Sequence, residues 1–249
     1  LNAIAAKTDG VVTATLSADS LSNLGALTTA GTDVITITVN DSSGTLNATD
    51  LSTLGGKTAG VVTLSNAITI QGSDAEITAA LVTSSSKVVA GVNGTIANVI
   101  GTVSAQAGAD FNSIDNVSAT FTAISDTISN LTNASGNAPS ANLQDVIDSD
   151  GSVDVTVSDL SGTITAIELS SVGGATTGTV TVSNAVNISG TTAQVTGALV
   201  TAGTLVVATT ATVALDDNPT ISELNAIAAK TNGAVTATLS ADSLSNLGA

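Results

Sequence analysis

The sequence predicts an all-β fold with short helical corners, a parallel β-solenoid of about nine coils with roughly 25–28 residues per coil. Three observations lead to this prediction: strand-like segments recur at near-regular spacing, apolar and polar residues alternate within them, and long segments of the chain repeat. The chain has 249 residues, of which 43% are hydrophobic, but its only aromatic residues are two phenylalanines. A narrow interior filled by Val, Ile, Leu and Ala suits this composition better than a β-sandwich core does.

Long internal repeats support a stacked architecture. Residues 1–26 recur as residues 224–249, and the two copies differ only at Asp9/Asn232 and Val11/Ala234. Residues 51–83 recur as residues 169–201, with 19 identities in 33 positions. Units that repeat in this way bury their apolar faces against their neighbours, so the repeats favour a quasi-one-dimensional stack.

Nine segments show the alternation of a half-buried strand. In the second segment, Ile35, Ile37 and Val39 would face the interior, while Thr36 and Thr38 would face solvent. Gly-containing turns and short Leu-x-x-Leu stretches separate the segments, and each such stretch is too short to be an independent helix. The segments begin near Val11, Val34, Val61, Val88, Ala119, Val153, Thr179, Leu205 and Ala234.

The predicted coils fall into three regions. Residues 1–104 and 152–249 carry the regular spacing, and within the latter residues 224–249 repeat residues 1–26. Residues 105–151 depart from the spacing and contain both phenylalanines. We therefore expect an irregular coil or coils, or a lateral bulge, in that middle region.

Two asparagines support contacts between coils. Asn66 and Asn184 each lie in a Ser-Asn-Ala tripeptide at the end of a predicted strand, where alternation points the side chain inward at a corner. A buried amide needs hydrogen-bond partners, and a neighbouring coil can supply them. Stacked Asn side chains that bond between coils are therefore expected at these corners.

Charge and composition exclude several functions. The chain carries 20 acidic and 4 basic residues, a net charge of −16, and it lacks Cys, Met, Trp, Tyr and His. This charge would repel nucleic acid, because neutralising phosphates requires clustered Lys and Arg. Every apolar run is shorter than the roughly 18 residues that a membrane helix needs, so no membrane insertion is expected. With Asp216-Asp217 as the only adjacent acidic pair and no His, Cys, Tyr or Arg, we expect no enzymatic activity.

Residues 221–247, with the sequence ISELNAIAAKTNGAVTATLSADSLSNL, resemble the repeat units of very large secreted bacterial surface proteins. Those families are rich in Thr, Ser, Ala, Gly and Val, acidic and free of Cys, and they include giant adhesins, sheath or fibre proteins and surface-layer proteins. The resemblance implies an extracellular or cell-surface location. The calcium-binding nonapeptide GGxGxDxUx of one such group is missing from this sequence, so that group's calcium-bound roll is not expected.

The repeats and this resemblance together predict a structural repeat module of an extracellular bacterial fibre or adhesin stalk. Because the same repeat begins and ends the sequence, we expect self-association end to end or continuation in a longer tandem array. The alternative is a surface-layer lattice protein, or an ice- or glycan-binding face built from outward Thr-x-Thr pairs. Thr also suits an exposed strand that binds no ligand. The outward pairs are Thr13/Thr15, Thr36/Thr38, Thr63/Ser65, Thr156/Ser158, Thr181/Ser183 and Thr236/Thr238.

The best candidate for a metal site is the acidic stretch at residues 145–154. Asp148, Asp150 and Asp154, with Asp145 nearby, flank a glycine turn, and carboxylate oxygens suit a hard cation such as Ca²⁺. The same residues also fit a turn in which Gly supplies the backbone conformation and Asp caps it. No cofactor is expected to be required, and bound Ca²⁺ is one of two interpretations of this stretch.

Overall fold

The structure is a computed structural model that describes residues 1–83 and 85–239. It has a mixed α/β fold, so the prediction of an all-β parallel β-solenoid of about nine coils is wrong. Ten α-helices accompany four short parallel sheets in the described part of the chain. No helix among those residues is long and apolar enough to cross a membrane.

The helices vary from one turn to nine residues. Each of two single-turn helices, α4 and α9, continues into a π-helical segment, Thr78–Val82 and Thr196–Val200 respectively. The ten α-helices are α1 Asn2–Ala5, α2 Leu21–Leu24, α3 Ala48–Gly55, α4 Asp74–Ile77, α5 Ala105–Asn112, α6 Ile128–Leu131, α7 Ala141–Ser149, α8 Ala166–Gly173, α9 Thr192–Val195 and α10 Ile221–Ala228.

The strands are two to six residues long. They are β1 Thr13–Thr15, β2 Val34–Val39, β3 Thr45–Asn47, β4 Val62–Leu64, β5 Thr69–Gly72, β6 Val88–Ala90, β7 Thr95–Val99, β8 Thr102–Val103, β9 Val117–Thr120, β10 Ala123–Asp126, β11 Val155–Val157, β12 Thr163–Thr165, β13 Val180–Val182, β14 Asn187–Gly190, β15 Val206–Val207, β16 Thr212–Leu215 and β17 Val235–Thr236. All nine predicted segments begin within two residues of a strand start, but the remaining strands were not predicted.

Local capping explains why the helices form. At α8, Thr165 Oγ1 accepts a hydrogen bond from Glu168 N (3.3 Å), and Glu168 Oε2 accepts one from Thr165 N (2.8 Å). This capping box satisfies two backbone donors that a helix start otherwise leaves open. Leu169 and Val172 then bury one face of the helix. The sequence-based prediction overlooked this signal, which recurs as Ser73/Glu76 at α4, Thr191/Gln194 at α9 and Thr220/Glu223 at α10.

The chain divides into two compact units. Among the described residues, the first comprises residues 1–103 and 107–122, and the second comprises residues 104–106 and 123–239. The first unit contains the parallel sheets β1-β2-β4-β6 and β3-β5-β7-β9. In the second, β10-β11-β13-β15 pair in that order, as do β12-β14-β16-β17. We call one strand from each sheet of a unit, with the helix that follows, a winding.

Each strand pairs with its counterpart in the next winding. Val62 of β4 lies opposite Val88 of β6, and Val180 of β13 lies opposite Val206 of β15. The predicted alternation is confirmed in β2, where Ile35 and Ile37 are fully buried and Thr36 is exposed. The core of each unit therefore consists mainly of aliphatic residues from neighbouring windings.

The two units share a structural repeat. α3 and α8 start 118 residues apart, at Ala48 and Ala166, and the two π-helical segments have the same separation. The region 105–151, predicted to be irregular, contains α5, β9, β10, α6 and α7. Phe111 on α5 is fully buried. The 118-residue sequence repeat thus corresponds to a repeated order of strands and helices.

Candidate functional site at the contacts between windings

A Thr-x-Gly turn joins one winding to the preceding one. The hydroxyl of Thr58, which is 3% exposed, accepts hydrogen bonds from Ile35 N and Gly60 N, both at 2.8 Å. It also lies 2.7 Å from Ile35 O, to which it donates. Ile35 belongs to β2 and Thr58 precedes β4, so this hydroxyl extends the ladder between the two strands. One side chain therefore satisfies buried backbone groups of two windings.

The second unit contains the same turn twice. Thr176 Oγ1 donates to Val153 O at 2.7 Å and accepts from Gly178 N at 2.9 Å. Thr231 Oγ1 donates to the carbonyl group of Ala211 and accepts from Gly233 N at 2.9 Å. The residue between Thr and Gly also bonds the preceding winding through its N–H in all three turns. Those bonds are Ala59 N to Asp33 O, Thr177 N to Gly151 O and Asn232 N to Thr209 O, at 2.7, 2.8 and 2.7 Å.

Close approach of two backbones requires glycine in this turn. A Cβ atom at Gly60 would overlap the carbonyl oxygen of Ile35, and one at Gly178 would overlap that of Val153. None of these glycines has a positive φ angle, so the requirement comes from the neighbouring winding and not from the turn itself. The Thr-x-Gly turn thus holds the backbones of two neighbouring windings in close contact.

Aspartate side chains form a second kind of contact between windings. Asp41 Oδ2 accepts a hydrogen bond from Leu21 N, the first residue of α2, at 2.7 Å. Asp159 Oδ2 does the same for Ile128 N at the start of α6, also at 2.7 Å. Each aspartate lies one winding after the helix whose N-terminus it caps. A carboxylate satisfies a free N–H at a helix start and is attracted by the partial positive charge there.

Two further helices, α5 and α9, are capped from a later winding. Asp126 Oδ2 accepts from Ala105 N at the start of α5 (3.1 Å), and Asp217 Oδ1 accepts from Thr192 N at the start of α9 (2.7 Å). Sequence reasoning missed all of these caps, because an aspartate in a turn does not identify a distant helix. One signal was present: Asp41 and Asp159 both lie in an Asp-x-Ser-Gly sequence, 118 residues apart.

The predicted asparagine contacts are present with different partners. Asn66 Nδ2 donates to Asn40 O, and Asn184 Nδ2 donates to Asp159 O, both at 2.9 Å. Both amides are half-buried and bond the backbone of the preceding winding. The expectation of a bond between windings is therefore confirmed, but the acceptors are carbonyl groups and not stacked Asn side chains.

The predicted calcium residues do not converge on one point. Asp148 accepts from Gln144 within α7, and Asp150 accepts from Ser152 N and Oγ, as expected for a capped turn. Asp154 Oδ1 accepts from Thr179 N in the next winding, while Asp145 lies exposed on α7. Within residues 1–83 and 85–239, no group of three or more acidic side chains is arranged to hold a metal ion. Calcium binding by this stretch remains a prediction.

The outward Thr pairs form only short ladders. Thr38 lies beside Thr63 in the paired strands, but the next residue in that row is Val89. In the second unit, Thr156 and Thr181 are followed by Val207. The exposed rows therefore combine hydroxyl and aliphatic side chains.

Comparison with known proteins gives no relative for this chain. No protein-family model, curated protein or solved structure matches it.

Asp217 makes the cap of α9 dependent on pH. Its hydrogen bonds with Thr192, chiefly the one from the hydroxyl and then the one from the backbone N–H, lower the pKa of this carboxyl group from its ordinary value of 3.8. A lowered pKa in the folded state stabilises the fold above the ordinary value, and this contribution is lost as the pH falls through the native pKa.

We therefore expect Asp217→Asn, which mimics the protonated carboxyl group, to be less stable than the wild type at pH 7. Chemical denaturation from pH 7 to pH 2 should show this difference shrinking below pH 3.8. Asp9→Asn is the control, because the repeat copy already carries Asn232 at the equivalent position. A stability difference that stays constant down to pH 2 would contradict the role of the ionised carboxylate.

Proposed function

We propose that this chain is a structural repeat module of an extracellular bacterial fibre or adhesin stalk. The observation that carries the proposal is the Thr-x-Gly turn, which makes the same hydrogen bonds to the preceding winding at Thr58, Thr176 and Thr231. A contact that recurs with the same geometry joins any number of windings in series. Stability then grows from contacts between neighbours, as in other repeat proteins.

The use of the acidic residues supports a structural role. Asp41, Asp126, Asp159 and Asp217 bond helix N-termini one winding away, and Glu76 and Glu223 complete capping boxes. Asp217, half of the only adjacent acidic pair, is thus engaged in a cap. Without His, Cys, Tyr or Arg, few side chains remain for acid-base or nucleophilic chemistry.

The sequence repeat supports assembly into a longer structure. Residues 1–26 and 224–249 are the same segment with two substitutions, so the sequence repeats with a period of 223 residues. The net charge of −16 would recur with each period and keep neighbouring fibres apart in solution. Self-association end to end and an extracellular location belong to this proposal.

Imaging the native material tests the proposed function. Antibodies raised against the segment 133–137, in which four of five residues are exposed, would be applied, with gold labels, to intact cells that produce the chain and to material shed from them. We expect label along fibres outside the cell, in a repeating pattern. Dispersed globular particles, or label confined to the cell interior, would overturn the proposal.

A further inference from the structure

The sequence contains two Asn-Gly dipeptides, Asn93-Gly94 and Asn232-Gly233. In such a pair the backbone nitrogen of Gly can attack the side-chain amide carbon of Asn, because Gly has no Cβ to hinder the approach. Both Asn residues are exposed. Exposure therefore does not distinguish the two pairs, but the surroundings of the attacking nitrogen do.

The nitrogen of Gly233 is held in place by hydrogen bonds. Gly233 N donates to Thr231 Oγ1 at 2.9 Å, and Asn232 N donates to Thr209 O of the preceding winding at 2.7 Å. β17 begins two residues after Gly233 and pairs with β16. These bonds fix the orientation of the peptide group, so its nitrogen cannot turn toward the Asn232 side chain without breaking them.

The nitrogen of Gly94 lies in a turn that holds it less firmly. Residues 91–94 join β6 to β7, and Gly91 N donates to Leu64 O at 2.9 Å at the start of this turn. Gly94 is exposed and has a φ angle of +94°. Neither its N–H nor the Asn93 side chain makes a hydrogen bond with any residue that the structure describes. An exposed peptide group without such bonds reorients at low cost in free energy.

We propose that Asn93-Gly94 is a spontaneous modification site, at which Asn93 loses its side-chain amide group while the chain stays folded. Gly94 N forms a bond to Asn93 Cγ and gives up its proton to the amide group, which leaves as ammonia. The resulting cyclic imide then takes up water, which breaks one of the two C–N bonds of the ring. The product is aspartate or isoaspartate at position 93, and water is the only co-reactant.

The modification changes the surface charge of the first unit. It adds one negative charge to the net charge of −16. No described hydrogen bond uses the Asn93 side chain or the Gly94 N–H, so the modified chain keeps the contacts between its windings. The positions 118 residues later are Ala211 and Thr212, so the second unit has no equivalent site. This inference goes beyond the proposed function and does not depend on it, because the reaction needs only the folded chain and water.

Mass spectrometry of the folded full-length chain, incubated at neutral pH, tests the proposal. Each conversion raises the mass by one unit. Trypsin and Glu-C, which together cut after Lys, Glu and Asp, isolate residues 88–110 for Asn93 and residues 231–242 for Asn232. We expect conversion at Asn93 to be at least tenfold faster than at Asn232. In urea, which removes the hydrogen bonds of the fold, the two rates should become similar.

Two variants separate the effect of the hydrogen bond from that of the dipeptide. Thr231→Val removes the acceptor of Gly233 N and should raise the rate at Asn232 severalfold, with Asn93 in the same sample as the internal standard. Asn93→Gln keeps an amide on a longer side chain, which closes a ring far less readily. This variant should abolish the mass change in residues 88–110.

Three outcomes would overturn the proposal. One is equal rates at Asn93 and Asn232 in the folded chain. A second is a difference in rate that persists in urea, because local sequence and not the fold would then cause it. The third is an unmodified Asn93 in the folded chain while both sites convert in urea. None of these results depends on whether the native material is fibrous.

Discussion

Gly178→Ala is expected to destabilise the second unit by more than about 4 kcal/mol, a size that single substitutions rarely reach. The added Cβ would overlap the carbonyl oxygens of Ser152 and Val153 in the preceding winding. These are backbone atoms of the turn that leads into β11, so no change of side-chain rotamer relieves the overlap. Urea unfolding followed by circular dichroism measures the loss.

Two other glycines provide matched controls for Gly178. A Cβ at Gly203 meets no atom within 4 Å, and the same motif at Gly10 meets only the Thr8 hydroxyl at 3.3 Å. Alanine at either position should change the free energy of unfolding by less than about 0.5 kcal/mol. If all three variants unfolded at the same urea concentration, the close approach between windings would not be what requires glycine in this turn.

Thr58→Val is expected to lower the stability of the first unit by about 3 kcal/mol, because two buried N–H groups lose their acceptor at once. These groups belong to Ile35 and Gly60, and each bonds the Thr58 hydroxyl at 2.8 Å. Valine has nearly the same shape as threonine, so the change removes hydrogen bonds without opening a cavity. Chemical denaturation of the purified variant gives the value directly.

Thr95→Val is the same chemical change with the opposite expectation. Thr95 is fully buried in β7, and its hydroxyl has no hydrogen-bond partner among the described residues. The equivalent position 118 residues later is Val213, which is also fully buried. Removing an unpaired buried hydroxyl should be neutral or raise the stability by about 1 kcal/mol. An equal decrease in the free energy of unfolding for Thr58→Val and Thr95→Val would show that burial of the side chain, and not its hydrogen bonds, determines the loss of stability.

Alternation predicted the strands well where a segment is long enough to show it. Ile35, Ile37 and Val39 define a clear buried row in β2, whereas β3 and β12 each contain one buried residue and give no pattern. Short helical corners were predicted, but the helices of eight and nine residues were missed, for a different reason. Their stability comes from capping boxes and from burial of one face against the sheets. A search for the two-residue alternation of strands detects neither of these signals.

The candidate site could be predicted only in part. The Thr-x-Gly frame and the two Asn positions are visible as repeated residues in the sequence. Their acceptors are not visible, because they are backbone carbonyl groups 20 or more residues away, such as Ile35 O for Thr58. The aspartate caps are harder still to predict. Asp41 looks like an ordinary turn residue, and its partner Leu21 bonds through its backbone N–H and carries no polar side chain.

The aspartate caps impose an order on folding during synthesis. Each capping carboxylate follows the helix that it serves by 20, 21, 31 or 25 residues, at α2, α5, α6 and α9 respectively. At these four helices, one backbone N–H at the N-terminus therefore lacks its carboxylate acceptor until the next winding leaves the ribosome. Folding that advances from the N-terminus would always have an unfinished last winding, which the following residues complete. A chain stalled within a period would expose one incompletely capped helix at its growing end, and elongation by a single winding would close it.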